Sequence, residues 1–257
     1  MEKAIQARNL DVAYDRRLVL EDVTFSVPRG AMVGIVGPNG GGKSTLLKAV
    51  LGLVPKARGT VEILGRPVDR RARRLVGYVP QREDVDWNFP VSAFDVVMMG
   101  RVPSMKLLRR STSRDKELTW EALRTVGMEK YADTRIGEFS GGQQQRIFLA
   151  RALAQEAEVL LLDEPVSGVD APSQHEIFDL LRSLKEAGKT MIVTTHDLSC
   201  VAERFDLALL LNKRVVAFGR PEEVFTSELL NETYQSHLMI LKLGDHTVAV
   251  EDRNHDA

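Results

Sequence analysis

Apolar residues recur in short alternating or continuous runs over residues 4–10, 23–27 and 31–36, a pattern of strands, with Pro28-Arg29-Gly30 marking a turn before the third. Residues 60–64 and 76–79 read as further strands, and Gly65-Arg66-Pro67 as a turn after the first of these. Between residues 92 and 135 the spacing turns helical, rich in Met, Leu and charge and poor in β-branched runs. Strand signals return at 159–162, 190–195 and 207–211, separated by helix-length stretches at 172–187 and 198–204. Strand, helix, strand at this rhythm predicts a buried parallel sheet with right-handed crossovers. The helical stretch then becomes an insertion in an α/β domain. Beyond Gly219, residues 222–234 form a helix candidate and 246–250 a weak strand, with no internal repeat along the chain.

Composition narrows the functions this pattern can serve. A chain of 257 residues with 44% hydrophobic and 28% charged residues can bury a substantial core in one compact unit with a subdomain. With 35 basic and 36 acidic side chains the formal net charge is −1, without the overall basic excess that favours nucleic-acid phosphates, so no nucleic-acid partner is expected. The single cysteine, Cys200, excludes an intramolecular disulfide and a Cys-only zinc site and fits a reducing compartment. No run approaches the 18 or so apolar residues of a spanning helix, and Met1-Glu2-Lys3-Ala4 opens with mixed charge rather than a signal-peptide core. A membrane role is therefore expected to go through a partner.

Gly37-Pro38-Asn39-Gly40-Gly41-Gly42-Lys43-Ser44 fits the phosphate-binding pattern G-x-x-x-x-G-K-[ST] and sits where the mechanism requires it, after a predicted strand and at the start of a predicted helix. Glycines let backbone N–H groups curl around phosphate oxygens, and the helix N-terminus adds positive potential. Lys43 can reach the outer phosphates and Ser44 can ligate Mg²⁺; Thr45 closes the nucleotide-binding stretch. Far along the chain, the apolar run 159–162 ends in Asp163-Glu164, at the strand end where ligands gather in open parallel sheets. Alone, an Asp-Glu pair is more often a solvated helix start. Beside a phosphate loop, Asp163 is placed to hold the Mg²⁺ shell and Glu164 to polarise the attacking water.

Phe139-Ser140-Gly141-Gly142-Gln143 precedes a helical segment at 144–154, so a Ser-Gly-Gly turn offers a second set of backbone N–H groups at a helix N-terminus. Inside one monomer it has no evident task. Two copies about a two-fold axis supply one, each phosphate loop facing the other copy's Ser140 turn across a shared ATP.

At these residues the chain resembles the nucleotide-binding subunits of ATP-binding cassette (ABC) transporters, whose signature is L-S-G-G-Q; Phe139 in place of Leu is the departure. The resemblance covers nearly the whole chain. It implies a P-loop NTPase core, a parallel sheet flanked by helices, with an N-terminal antiparallel β layer and a helical subdomain inserted at about residues 82–158. It further implies that Tyr14 stacks on adenine, that Gln81 joins Ser44 and Asp163 around Mg²⁺, that Ser167-Gly168-Val169-Asp170 crosses the dimer interface and that His196 senses the γ-phosphate. Lys43, Glu164 and His196 are then the catalytic set. The expected assembly is a homodimer on the cytoplasmic face of a membrane, with permease subunits and an extracytoplasmic substrate-binding protein. The run from Val79-Pro80-Gln81-Arg82 to Val97-Met98-Met99-Gly100-Arg101 resembles importers of manganese, zinc or chelated iron. Iron-siderophore or cobalamin import, and a soluble ATPase acting on nucleic acid or ribosomes, are the alternatives.

Other features carry less. Arg70-Arg71-Ala72-Arg73-Arg74 reads as a solvated face, His237, His246 and His255 have no metal-motif spacing, and Cys200 reads as a small buried apolar residue. Trp87 and Phe89, in the polar loop Asp86-Trp87-Asn88-Phe89-Pro90, read together either as core anchors or as a contact for the membrane subunit.

Overall fold

Alternation of apolar and polar residues in the first strands meets a difficulty at residue 8, where the buried positions change phase from Ile5 and Ala7 to Leu10 and Val12. Side chains alternate faces along a strand, so an unbroken strand would turn one of these pairs to solvent. A bulge resolves it: Asn9 is left-handed at φ 46°, and the pairing register shifts between Ala7 and Leu10. The structure, a computed structural model, describes residues 2–15, 17–105, 111–235, 238–243 and 246–251, the last two stretches by backbone alone. His237 and His255 lie outside the described residues.

The chain divides into two units, Met1–Asp69 with Met191–Ala257, and Arg70–Thr190. The first begins with β1 (Lys3–Tyr14), β2 (Arg17–Pro28), the wholly buried β3 (Met32–Val36), α1 (Lys43–Val50), β4 (Lys56–Ile63) and the two-residue β5 (Arg66–Pro67). β2, β1, β4 and β5 form an antiparallel sheet in that order. Its last strand corrects the sequence reading: the turn is made by left-handed Leu64 and Gly65, and Arg66 and Pro67 pair back onto Ile63 and Glu62.

The second unit comprises α2 (Arg70–Arg73), β6 (Val76–Val79), α3 (Ala93–Met99), α4 (Ser113–Thr125), α5 (Gly141–Ala154), β7 (Val159–Asp163) and α6 (Ala171–Glu186). β6 and β7 run parallel. The helical stretch at 92–135 is broken: Ser92 with Asp95 and Thr112 with Asp115 form capping boxes that start α3 and α4, and short 3-10 turns follow each helix. Gly77 allows α5 to lie directly on β6, since a Cβ there would stand 2.6 Å from the Ala152 Cβ. Arg101 ties these helices together. Almost fully buried, it donates to Asp115 at 3.1 Å, to the Ala154 carbonyl and to Glu156 at 2.9 Å. Hydrogen bonds from Thr112, aided by Arg101, hold the Asp115 carboxyl below its ordinary range.

The chain re-enters the first unit along β8 (Thr190–Thr194), followed by α7 (Leu198–Arg204), β9 (Leu207–Asn212), β10 (Arg214–Gly219), α8 (Pro221–Val224), α9 (Ser227–Tyr234), β11 (Leu238–Leu243) and β12 (His246–Glu251). β3 pairs in parallel with β8 on one side and β9 on the other. β10, absent from the sequence reading, folds back antiparallel on β9 after the left-handed Lys213. The helix candidate at 222–234 divides in two, because Thr226 caps a new helix by accepting from the Leu229 amide. Cys200 is buried in α7 as expected, and burial pushes its thiol up to about 12. No described helix is long and apolar enough to cross a membrane.

The Arg101 cluster generates a stability prediction. Arg101→Ala strands a buried carboxylate at Asp115, and removing one partner of a buried ion pair costs about 3 kcal/mol. Urea unfolding of the purified chain is expected to show that loss, and an unchanged midpoint would remove Arg101 from this role.

Candidate functional site

The phosphate loop begins where β3 ends. Gly37 lies so close to β9 that an added Cβ would overlap the Leu211 carbonyl, and one at Gly41 would stand 3.1 Å from the same oxygen. The Lys213 amide donates to the Gly41 carbonyl at 2.8 Å, and the Gly41 amide to the Pro38 carbonyl at 3.0 Å. Gly42, left-handed at φ 98°, is the N-cap of α1 and has no side chain with which to cap it. No side chain therefore caps the first turn of α1, an arrangement suited to anion binding. Asn39 and Gly40 form the exposed tip, while Ser44 and Thr45 are half-buried in the first turn. Lys43 is 6% exposed, and its ammonium donates to the Gly37 carbonyl at 2.9 Å and the Pro38 carbonyl at 3.2 Å. The buried cation is therefore held at the loop's own mouth.

The first unit also contains Tyr14 and His196. Tyr14 ends β1 opposite Arg17, with its ring exposed. The same hairpin supports the loop further along, since Leu20 of β2 lies 2.6 Å from where a Gly42 Cβ would be. His196 is exposed just beyond β8, where Asp197 caps α7 by accepting from the Cys200 amide at 2.9 Å.

In the second unit, the fully buried β7 delivers Asp163 and Glu164 at its end. Glu164 is left-handed at φ 47°, a conformation that disfavours a side chain and recurs at functional sites. Gln81, just past β6, donates from its amide to Glu164 Oε2 at 3.4 Å, and the Tyr78 hydroxyl donates to Asp163 Oδ2 at 3.4 Å. Burial, then the Asp163 charge, raises the Tyr78 phenol far above its usual range, so it remains a proton donor. Tyr78 was not singled out in the sequence, where only its position three residues before Gln81, on the strand beside β7, could have signalled it.

Ser140 caps α5, and the helix starts at Gly141, three residues earlier than the sequence suggests. The Ser140 amide donates to Gln143 Oε1 at 3.0 Å and the Gln143 amide to Ser140 Oγ at 3.4 Å. Gln143 thus spends its side-chain oxygen on the cap, and the helix geometry leaves the Gly141 and Gly142 amides without an acceptor in their own turn. A Cβ on Gly142 would stand 2.7 Å from the Ser173 Cβ, so α6 and the loop before it, which Asp170 caps, fit against this turn. Arg82 lies over Gly141 and donates to Gln144 at 3.2 Å; Arg151, three turns along, donates to the Tyr78 carbonyl at 2.9 Å.

Trp87 and Phe89, which the sequence treats as a pair, separate. Trp87 donates from its indole to the Arg82 carbonyl at 2.9 Å and packs edge-on against Phe148 of α5 at 5.2 Å, while Phe89 is 56% exposed. One is an anchor and the other a surface residue.

A glycine loop opening a helix at the end of a buried parallel strand, with a buried lysine at its mouth, defines a P-loop nucleotide-binding protein. The chain belongs to the ABC transporter family, whose model matches residues 20–167. It is 50% identical to the manganese transport system ATP-binding protein MntB of Bacillus subtilis over 93% of this chain and 95% of that protein. It is likewise 50% identical to the zinc transport system ATP-binding protein TroB of Treponema pallidum, over 90% of this chain and 86% of that one. A solved metal-chelate type ABC transporter in an inward-facing conformation superposes with a TM-score of 0.84 at 30% identity, over 98% of both chains. A dimeric ATP-binding cassette bound to ADP and phosphate superposes with a TM-score of 0.72 at 27% identity, over 84% of this chain and 98% of that one. The fold is that of the ABC ATPases, and the chain is an ATP-hydrolysing transporter subunit.

The two aromatics yield a test. Trp87→Ala loses a ring contact and an indole hydrogen bond and is expected to destabilise by about 1–3 kcal/mol. Phe89→Ala is expected to stay within about 0.5 kcal/mol of the parent. Thermal melting of both single variants distinguishes them; equal shifts would contradict the separation.

Proposed function

We propose that this subunit powers import of a metal ion (manganese, zinc or iron) through separate membrane subunits, from the cytoplasmic face of the membrane. The observation that carries the cargo is identity of 50% to ATP-binding proteins of manganese and zinc transport systems over nine-tenths or more of the chain. The metal-chelate type transporter supports a chelated metal as a second reading, at the lower identity of 30%. An extracytoplasmic protein delivers the ion to the permease.

Residue roles follow from the chemistry at hand. Lys43 and backbone N–H groups of the loop hold the phosphates of ATP, and Tyr14 stacks on the adenine. Ser44, Asp163 and Gln81 carry oxygen donors of the kind Mg²⁺ takes, and Tyr78 donating to Asp163 keeps that carboxylate oriented. Bound there, Mg²⁺ neutralises charge on the outer phosphates. Glu164, reached by the Gln81 amide, accepts the proton of the attacking water as ATP and water become ADP and phosphate. His196 steadies the γ-phosphate. Ser140, Gly141 and Gly142 of a second copy, with Gln143 fixing their turn, complete the site across a homodimer. Closure on two ATP molecules and release after hydrolysis then move the membrane subunits.

Glu164→Gln keeps the shape of the carboxylate without its basicity, and is expected to bind ATP normally while turnover falls roughly 100-fold or more. Light scattering should then find an ATP-trapped dimer, and a variant that hydrolyses at the parental rate would remove Glu164 from its role. Ser140→Arg is expected to abolish hydrolysis while leaving nucleotide binding to the monomer intact; an active Ser140→Arg homodimer would contradict the shared site. For the cargo, vesicles holding the subunit with its membrane partners should take up Mn²⁺ or Zn²⁺ in an ATP-dependent manner. Uptake of cobalamin or a ferric siderophore instead would overturn the metal-ion reading.

A further inference from the structure

The turn from β9 to β10 is a single residue, Lys213, since Asn212 and Arg214 on either side of it already pair. Lys213 closes that turn with a left-handed backbone at φ 58°, and the two polar groups of its backbone engage different elements. Its N–H donates to the Gly41 carbonyl of the phosphate loop at 2.8 Å, and its carbonyl accepts from the Glu21 amide of β2, also at 2.8 Å. Arg214 adds a second link to the same strand, an ion pair with Glu21 at 2.6 Å that is exposed and contributes little by itself. β2 pairs with β1, Leu20 opposite Val12 and Arg17 opposite Tyr14. The hairpin that carries Tyr14 is thus joined to the phosphate loop by a backbone bridge one residue wide, from Glu21 through Lys213 to Gly41.

We propose that this turn is a clasp that sets the spacing between Tyr14 and the phosphate loop, with Lys213 as a positioning residue for ATP. The inference rests on the reading that Tyr14 stacks on adenine while the loop holds the phosphates. ATP then meets the protein at two ends, and a ligand held at two points binds well only when those points already stand at the right distance. β2 is the outer strand of its sheet, so the hairpin is supported by β1 on one side and, at Glu21, by the clasp on the other. Inorganic tripolyphosphate meets the loop alone, and the loop keeps its own bond from the Gly41 amide to the Pro38 carbonyl. The clasp therefore acts as a difference between two ligands, strengthening ATP and leaving tripolyphosphate nearly untouched. Once ATP is seated at both ends the spacing is fixed by the ligand itself, so the effect falls on affinity rather than on the chemical step.

Lys213→Pro in the full chain removes the N–H and cannot adopt a positive φ. Calorimetric titration is expected to show the Kd for ATP raised roughly three- to ten-fold, the size of one lost hydrogen bond, with the Kd for tripolyphosphate and kcat at saturating ATP each within about two-fold. Lys213→Val, whose branched side chain resists the left-handed region, should move the ratio of the two affinities in the same direction, and it decides the matter if the proline variant fails to fold. Lys213→Gly is at ease in that region and is expected to show the parental ratio. A merely structural turn predicts lower melting temperatures in the proline and valine variants with parental ATP affinity, and that result overturns the proposal. Equal weakening of ATP and tripolyphosphate overturns it too, as does a fall in kcat at unchanged ATP affinity. Tyr14→Ala, measured alongside, tells failure of the clasp from failure of the reading beneath it. A parental ratio in that variant defeats adenine stacking itself, whereas a ratio lost there and parental in the Lys213 variants defeats only the clasp.

Discussion

The approach of backbone to backbone at Gly37, where the Leu211 carbonyl occupies the volume any Cβ would need, is the constraint around which the phosphate loop is built. Phosphate is bound by main-chain amides, and those amides converge only if the chain can turn more tightly than side chains permit. The same requirement recurs at Gly42, pressed on Leu20, and, in the other unit, at Gly142, pressed on Ser173. Gly42 and Gly142 each lie at a helix start. Ser140 and Gln143 show the complementary device, since their mutual hydrogen bonds secure the α5 turn without covering the Gly141 and Gly142 amides.

Opposed to this economy of side chains is the concentration of them at the end of β7. Glu164 holds a left-handed backbone, which costs about 1–3 kcal/mol and persists only where surrounding structure enforces it. Here the enforcement comes from a five-residue strand buried along its entire length and paired with β6 residue for residue from Val76 to Val79. The twist at Glu164 separates two adjacent carboxylates that would otherwise compete for the same surroundings. Asp163 faces the Tyr78 hydroxyl and Glu164 the Gln81 amide. Two neighbouring residues of like charge thereby acquire different partners, which is the prerequisite for different tasks.

Much of this was legible in the sequence because it is local. Strand-loop-helix order around residues 37–44, an apolar run ending in two carboxylates, and Ser-Gly-Gly before a helix are each written in a few adjacent residues, and the structure puts each on the expected element. Boundaries suffered where a side chain decided them: Thr112 and Thr226 start helices that a purely hydrophobic pattern merges with their neighbours. β10 escaped notice because its turn depends on one left-handed lysine, a conformation with no sequence mark. The separation of Trp87 from Phe89 depends on Phe148, some sixty positions away. Contacts at such separations leave no trace in spacing.

The close seating of α5 on β6 has a mechanical consequence. Gly77 admits the helix backbone, Arg151 fastens one end of it to Tyr78, and Arg82 fastens the other to Gln144. Close-packed interiors are poorly compressible, so a body pinned at both ends moves as one piece. Gln81 and the Ser140 turn are carried at the same end of that piece, since Arg82 beside Gln81 lies over Gly141, and they shift together. A push delivered near the residue 81–90 loop reaches the Ser140 turn as displacement instead of being dissipated in bending along the way.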